Sequence, residues 1–172
     1  HRAYKTEDFY VSPSNQEAYD FINSWPKWIK RIVNIFGPNG SGKSHLASIL
    51  KTKTKCLDIS SEKLNENIIF EFKTKEALIL ENFDKKISEE LLFSLWNVAL
   101  QDNKYFLINS IDPINSYKFK LPDLASRVKS SLGIGIKLPS DDLISAIIAK
   151  NFSDKQIIVE EKHINYILKH ID

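Results

Sequence analysis

The chain has 172 residues, 42% of them hydrophobic, which is enough for one buried core or one core with a small appendage but short for two full domains. Its formal net charge of +2 gives no strong electrostatic case for direct, sequence-specific DNA binding, and its single cysteine and four histidines exclude an internal disulfide and a structural zinc site. No apolar run approaches the roughly 18 residues that span a bilayer, and the N-terminal residues are too polar for a signal peptide, so we expect a cytoplasmic protein without a membrane partner.

The first predicted helix opens with a capping pattern. Ser14 is followed three residues later by Glu17, and apolar residues then recur at helical spacing until Pro26 ends the pattern. The next apolar run, from Ile32 to Phe36, predicts a strand, and helical spacing resumes over residues 45–50. A strand, a short loop and a helix therefore follow one another.

The loop between that strand and helix, Gly37 to Ser44, reads GPNGSGKS and matches the phosphate-binding P-loop. Its glycines let backbone N–H groups converge on phosphate oxygens, and the following helix offers its positive N-terminus to the same charge. Lys43 would reach the terminal phosphates, and the Ser44 hydroxyl would coordinate magnesium, so we expect a purine nucleotide bound with magnesium. The predicted binding residues of this segment are Gly37, Pro38, Asn39, Gly40, Ser41, Gly42, Lys43, Ser44 and His45.

Strands and helices continue to alternate after the P-loop. One helix begins at Ser88, where Glu89 and Glu90 favour the positive N-terminal end, and continues to Leu100. Because crossover helices of this kind join parallel strands, we predict an α/β fold with a parallel sheet. The remaining predicted strands run from Cys56 to Ile59, Ala77 to Leu80, Tyr105 to Ile108 and Ile134 to Leu138.

The strand pattern ends at Pro139. Two helical patterns follow, from Ser140 to Ala149 and from about Glu160 to Lys169. We therefore expect a nucleotide-binding core in residues 1–138 and a partial, truncated helical appendage in residues 139–172.

Glu81 and Asn82 follow one of the predicted strands, where the second half of a P-loop site is expected. An acidic residue at the end of a neighbouring strand would hold magnesium, and Glu81 fits this role, although it could simply end a buried strand at the solvent edge. Asn82 stands where a hydrolytic NTPase commonly has a second carboxylate. Nucleotide binding is therefore better provided for than hydrolysis, although a side chain such as Asp84 could still support slow turnover.

Asn109 closes the predicted strand Tyr105 to Ile108, where a side chain can act as a sensor of the terminal phosphate. Asn and Ser also begin turns, and Ser110 with Asp112 and Pro113 fits a turn equally well. The sequence leaves both interpretations open.

Four stretches together resemble one known family: EDFYVSPSNQEA (Glu7 to Ala18), GPNGSGKSHLA (Gly37 to Ala47), LPDLASR (Leu121 to Arg127) and LPSDDLISAIIAKNFSDKQIIVEE (Leu138 to Glu161). They are similar to the DnaA family of AAA+ replication proteins, and more closely to its Hda-type regulatory inactivators from alphaproteobacteria. The LPDLASR stretch is the most specific part of this resemblance.

The resemblance implies an AAA+ three-layer sandwich with a five-stranded parallel sheet and the start of a small helical lid, binding ADP or ATP with magnesium. Lys43 and Ser44 match the Walker A residues, and Glu81 matches the Walker B acid, so Ser44 and Glu81 would hold the magnesium. Asn109 matches the first sensor, and Arg127 matches the arginine finger that acts on the nucleotide of a neighbouring subunit. The adenine pocket would be lined by Phe9, Tyr10 and Val11.

Two features favour the regulatory branch of this family. Only 34 positions separate Ser44 from Leu78, too few for the helical insertion with which initiators handle DNA, and no basic helix-turn-helix domain follows. The chain also ends before the position of the second sensor. The resemblance then implies a regulator of replication initiation with weak or no ATPase activity, which presents Arg127 to DnaA-bound ATP. Its partners would be DnaA and, by analogy only, the DNA sliding clamp, with self-association left open.

Two other functions remain as alternatives. An ATP-hydrolysing initiator or helicase-loader-type AAA+ protein acting directly on DNA would show ATP turnover and salt-sensitive DNA binding. A small-molecule kinase would need several phosphate-clamping arginines, whereas Arg2, Arg31 and Arg127 are the only arginines in the sequence.

Overall fold

The structure is a computed structural model, and it describes residues 9–138 and 148–150. Residues 148–150 are helical. The rest of the predicted appendage, including the helix at about residues 160–169, lies outside the described residues. Within the described ranges, no helix is long and apolar enough to cross a bilayer.

A five-stranded parallel sheet forms the centre of the fold, in the order β2-β3-β4-β1-β5. This confirms the predicted architecture. The strands are β1 (Ile32–Phe36), β2 (Cys56–Ser60), β3 (Ala77–Glu81), β4 (Tyr105–Ser110) and β5 (Leu132–Gly135). The helices are α1 (Gln16–Asn23), α2 (Lys43–Lys53), α3 (Asn67–Lys73), α4 (Glu89–Gln101) and α5 (Pro122–Ser130), with short 3-10 turns at Ser61–Lys63 and Ile114–Ser116.

Helices cover both faces of the sheet, which makes the fold a three-layer sandwich. In β3, Leu78 and Leu80 pack with residues of α3, α4 and α5, whereas Ile79 packs with residues of α2 on the other face. All of Ala77 to Leu80 is fully buried, as expected for a central parallel strand that is covered on both sides. Odd-numbered residues of β3 therefore face α2, which also begins at the P-loop.

Helix α4 begins as predicted, whereas α1 does not. The Ser88 hydroxyl accepts a hydrogen bond from the Leu91 N–H at 3.3 Å and caps α4. The expected cap of α1 by Ser14 is wrong, because the Ser14 hydroxyl bonds the Ser12 hydroxyl at 2.7 Å and the helix starts at Gln16. The Asn15 side chain before it accepts from the Ser12 N–H at 2.9 Å, so a local turn replaces the capping box.

The fifth strand lies earlier in the chain than predicted, at Leu132–Gly135 instead of Ile134 to Leu138. It pairs with β1 along its whole length, from Leu132 opposite Val33 to Gly135 opposite Phe36. A Cβ atom at Gly135 would lie 2.9 Å from the Phe36 ring, so glycine is needed for this close approach. Glycines are uncommon in strands, which is why the predicted strand was placed closer to Leu138 than the observed one.

Asn34 joins β1 to the end of β4 from within the core. Its side chain is 2% exposed, and its Nδ2 donates to the Ile108 carbonyl at 2.8 Å and to the Ser110 hydroxyl at 2.9 Å. Its Oδ1 accepts a hydrogen bond from the Ile114 N–H at 3.0 Å. A buried amide in a fully bonded network of this kind is stabilising, whereas a buried amide without partners would be costly.

Candidate nucleotide-binding site

The P-loop leaves the carboxyl end of β1 and enters α2 through Gly42. Gly42 has φ +104°, in the left-handed region that glycine adopts readily, and Gly40 has φ +82°. A Cβ atom at Gly42 would also lie 2.8 Å from the ring of Phe9. Both the turn and the close approach of Phe9 therefore require glycine at residue 42.

Lys43 lies over the loop that it follows. Its Nζ donates to the Gly37 carbonyl and, at 3.2 Å, to the Pro38 carbonyl. Partial burial lowers the pKa of Lys43, because removal from water disfavours the charged ammonium. The cation is thus held at the loop by weak carbonyl contacts that a phosphate can replace with a stronger, charge-assisted contact.

Ser44 and Glu81 line one cavity, although they belong to α2 and β3. Glu81 lies at the carboxyl end of β3. Burial raises the pKa of Glu81 to about 7, and the nearby Asp58 carboxylate adds to this increase. Asp58, on β2, was not identified from the sequence; an acidic side chain inside the predicted strand CLDI was the available signal.

The Ser44 and Glu81 donors fit magnesium as it is usually bound with a nucleotide. Magnesium commonly takes one or two carboxylates together with substrate phosphates and several waters. Both Ser44 and Glu81 offer hard oxygen atoms to the same cavity. Within residues 9–138 and 148–150, no group of three or more His, Cys, Asp or Glu side chains could hold a metal ion.

A cavity of about 200 Å³ brings most of the predicted catalytic residues together with the P-loop. Asn82 lies at its edge with φ 55°, and its Nδ2 donates to the Ser60 hydroxyl at 3.3 Å. Asp84 also lines the cavity, but its Oδ1 accepts a hydrogen bond from the Lys86 N–H at 2.9 Å. The lining residues are Asn39, Lys43, Ser44, Glu81, Asn82, Phe83, Asp84, Asn109, Ser110 and Ile111.

Asn109 lies inside β4 and reaches the P-loop helix. It is 2% exposed, and its Nδ2 donates to the Lys43 carbonyl at 3.4 Å. Its Oδ1 is buried and receives no hydrogen bond from the described residues. Ser110 makes the turn contact instead, because its hydroxyl donates to the Asp112 carbonyl at 2.6 Å. A buried amide oxygen without a donor, beside the P-loop, fits a site that accepts a polar ligand.

The predicted adenine segment lies against the first turn of α2. Phe9 stacks on His45 with ring centroids 4.5 Å apart and an interplanar angle of 8°. The Nζ of Lys150 lies 5.5 Å from the centroid of the Tyr10 ring, whereas Val11 is 39% exposed. Phe9 and Tyr10 therefore pack into the molecule, and Val11 faces solvent.

Arg127 lies away from these residues. It lines a separate cavity of about 240 Å³ together with Lys30, Arg31 and Ile32, and its guanidinium lies 5.1 Å from the centroid of the Phe93 ring. Ile32 begins β1, whereas the P-loop follows its other end, and five residues of strand span roughly 13 Å. Arg127 therefore cannot act on a nucleotide held by its own P-loop without a large rearrangement.

Comparison with solved structures identifies the fold. A crystal structure of a DNA replication initiation factor superposes with a TM-score of 0.80 at 17% identity, over 96% of this chain and 59% of that one. AMPPCP-bound DnaA from Aquifex aeolicus gives a TM-score of 0.78 at 17% identity, over 96% and 60% of the two chains. Domain III of DnaA from Thermotoga maritima gives 0.70 at 20% identity, over 94% and 78%.

The chain has the same fold as these DnaA structures. It spans about three fifths of the length of the first two of these structures. No protein-family model matches the sequence, and no curated protein gives a significant match. Because all three identities are low, the likeness establishes the fold, and the function has to be argued from the site.

Proposed function

We propose that this chain binds ADP or ATP with magnesium and regulates chromosomal replication initiation by promoting hydrolysis of DnaA-bound ATP. Arg127 would act as an arginine finger on the nucleotide of the partner. The observation that carries this proposal is the separation of two sets of residues. The residues proposed to bind phosphate and magnesium line one cavity, which Asn82 also lines. Arg127 lies in another cavity, near the other end of β1.

Each residue of the cavity has a distinct role in this proposal. The P-loop N–H groups and Lys43 bind the phosphates, and Ser44 with Glu81 holds the magnesium, which neutralises phosphate charge. Asn109 would sense the terminal phosphate through its side-chain amide, which lies beside the Lys43 carbonyl. Asn82 cannot accept a proton from water as a carboxylate can, so intrinsic hydrolysis is expected to be slow. Phe9 and Tyr10 would border the adenine.

The proposed role of Arg127 follows from the chemistry of phosphoryl transfer. A guanidinium supplied by a neighbouring subunit stabilises charge on the transferred group and can raise hydrolysis rates by about 10³ to 10⁵. Arg127 is half-buried against Phe93, and no carboxylate among the described residues forms an ion pair with it. Its charge is therefore available to an anionic group of a partner. The DNA sliding clamp and a second copy of this chain remain further partners by analogy.

The first experiment is to titrate the chain with ADP and ATP, both with magnesium, and to follow ATP turnover in the same preparation. Tight ADP binding without turnover is expected. DnaA loaded with ATP is then added, with wild-type chain or with Arg127→Ala. The variant should still bind ADP but lose stimulation of hydrolysis. Lys129→Ala removes an exposed cation from the same helix and serves as the control, because it should stimulate normally. Full stimulation by Arg127→Ala would refute the proposal.

A second function is supported by one comparison. A structure of the replication initiator DnaA bound to AMPPCP and single-stranded DNA superposes with a TM-score of 0.74 at 20% identity. If this chain instead acts directly on DNA as an ATP-hydrolysing initiator or helicase loader, steady ATP turnover and salt-sensitive binding of single-stranded DNA should be observed.

A further inference from the structure

Asp58 lies beside the candidate magnesium ligands although it belongs to a different strand. In the β2–β3 register it is opposite Ile79, and Glu81 lies two residues further along on the same face of the sheet. Glu81 and Ser44 line the candidate site together, and Asp58 is the diagonal neighbour of Glu81 on the adjacent strand. The edge strand thus places a second carboxylate next to Glu81.

Helix α2 fixes this second carboxylate. Lys51 Nζ forms an ion pair with Asp58 Oδ2 at 2.9 Å. Lys51 lies seven residues after Ser44, so both side chains are on the same face of α2. One face of α2 therefore carries both Ser44, which lines the candidate site with Glu81, and Lys51, which pairs with Asp58. The other oxygen of Asp58, Oδ1, is buried and receives no N–H or O–H donor from the described residues.

A buried carboxylate oxygen without a donor is costly unless a cation or its bound water lies nearby. The cavity that Glu81 lines contains another such atom, since Asn109 is 2% exposed and its Oδ1 also has no donor among the described residues. Asn82 supplies no negative charge at the position where many P-loop NTPases have one. Asp58 places a negative charge on the strand next to Glu81, in addition to that of Asp84 in the cavity.

We propose that Asp58 is a positioning residue of the magnesium site, which orients the Glu81 carboxyl toward Ser44 and supplies the carboxylate that residue 82 lacks. Lys51 keeps Asp58 in place. Partners that orient a metal ligand in this way typically change metal affinity by about 10- to 100-fold when they are removed. This inference rests on the proposed binding of a nucleotide with magnesium.

The test measures magnesium affinity separately from nucleotide affinity. A fluorescent ADP analogue is bound to the purified chain, first in EDTA and then with increasing Mg²⁺. For Asp58→Asn we expect about 10- to 100-fold weaker Mg²⁺ binding with unchanged affinity for the analogue in EDTA. Asp58→Glu restores a carboxylate on the same strand and should recover part of the lost affinity.

The matched control is Glu76→Gln, which removes one negative charge just before the other end of β3. Glu76 accepts a hydrogen bond from the Thr54 hydroxyl at 2.8 Å, so this variant, like Asp58→Asn, loses a charge but keeps an amide oxygen for its donor. It should bind Mg²⁺ as the wild type does. If Asp58→Asn fails to fold, as judged by its thermal melt, Asp58→Ser is measured in its place.

The outcomes separate this inference from the proposed function. A wild-type chain with no Mg²⁺-dependent binding of the analogue would refute both. If Asp58→Asn or Asp58→Ser has the same Mg²⁺ affinity as the wild type, the role of Asp58 is refuted but the proposed function is not. If Glu76→Gln loses as much Mg²⁺ affinity as Asp58→Asn, the total charge of the chain, and not the position of Asp58, sets that affinity, and the inference is refuted.

Discussion

Glu89, the first residue of α4, accepts a hydrogen bond from the main-chain N–H of Leu121 at 2.9 Å, where α5 begins. The same carboxylate accepts from the N–H of Lys120 at 2.8 and 3.0 Å. The start of α5 is thereby tied to the start of α4. Because α5 carries Arg127, Glu89 helps to set the position of the proposed arginine finger.

Replacing Glu89 should reveal this connection through its pH dependence. Hydrogen bonds from Leu121 and Lys120 lower the pKa of Glu89, so its contribution to stability is present above the ordinary glutamate pKa and is lost as the pH falls through the lowered value. Glu89→Gln should therefore be less stable than the wild type at about pH 7, and the difference should shrink below about pH 4. Urea unfolding at the two pH values measures this.

Glu90→Gln is the control for Glu89→Gln. Glu90 also lies in the first turn of α4, where a negative charge favours the helix, but no main-chain N–H of α5 donates to it in the described structure. A pH-dependent loss of the same size in both variants would assign the effect to the helix dipole alone.

Gly42 and Gly40 provide a matched pair of substitutions in the P-loop. Both have positive φ, +104° and +82°, but a Cβ atom would meet the Phe9 ring only at Gly42, since nothing lies within 4 Å of a Cβ atom at Gly40. Gly40→Ala should lose about 1 kcal/mol of unfolding free energy from the backbone alone. Gly42→Ala should lose more and should bind ADP more weakly. Equal losses in the two variants would contradict the contact with Phe9.

Asn82→Asp tests why intrinsic hydrolysis should be slow. A positioned general base contributes about 10²- to 10⁴-fold to catalysis, so a carboxylate at residue 82 is expected to raise ATP turnover at least about 10-fold. Asn103→Asp is the control, because Asn103 has nearly the same backbone conformation, with φ 54° against 55° for Asn82, but does not line the candidate site. Unchanged turnover in Asn82→Asp would mean that another group limits hydrolysis.

Cys56 should be a poor nucleophile in the folded protein. Burial and, to a smaller extent, the Asp58 charge together raise its pKa to about 11. The thiol form is therefore favoured on folding. This contribution to stability is present below the ordinary thiol pKa and is lost as the pH rises through about 11. At about pH 8, alkylation by iodoacetamide should be about 100-fold slower than in urea. Equal rates would refute the raised pKa.

The sequence predicted those parts of the fold that depend on short, uninterrupted patterns. Four strands were located to within two residues, and the structure places Ser44 and Glu81 in one cavity. Helix α3 was not predicted, because residues 67–73 read NIIFEFK, whose aromatic and β-branched side chains favour a strand. Packing against α4 overrides that preference.

Two further features depend on contacts that a single sequence does not reveal. Helix α5 starts with Pro122, which suggests a loop but is also well suited to the first turn of a helix. Asp58 is an ordinary polar residue of a strand until the β2–β3 register places it near Glu81. Pairing between strands is a long-range property, so this carboxylate could be assigned only from the three-dimensional structure.

The buried amide of Asn34 also limits how the sheet can assemble. Its three hydrogen bonds are satisfied only when β1 lies beside β4 in the observed register, with Ile35 opposite Asn109. If β1 slipped by one residue, Asn34 would turn to the other face, and if it slipped by two residues, its partners would be lost. Incorrect registers are therefore penalised during folding, before any nucleotide binds. The distance between the P-loop and Asn109 is thus fixed by a residue that does not line the candidate site.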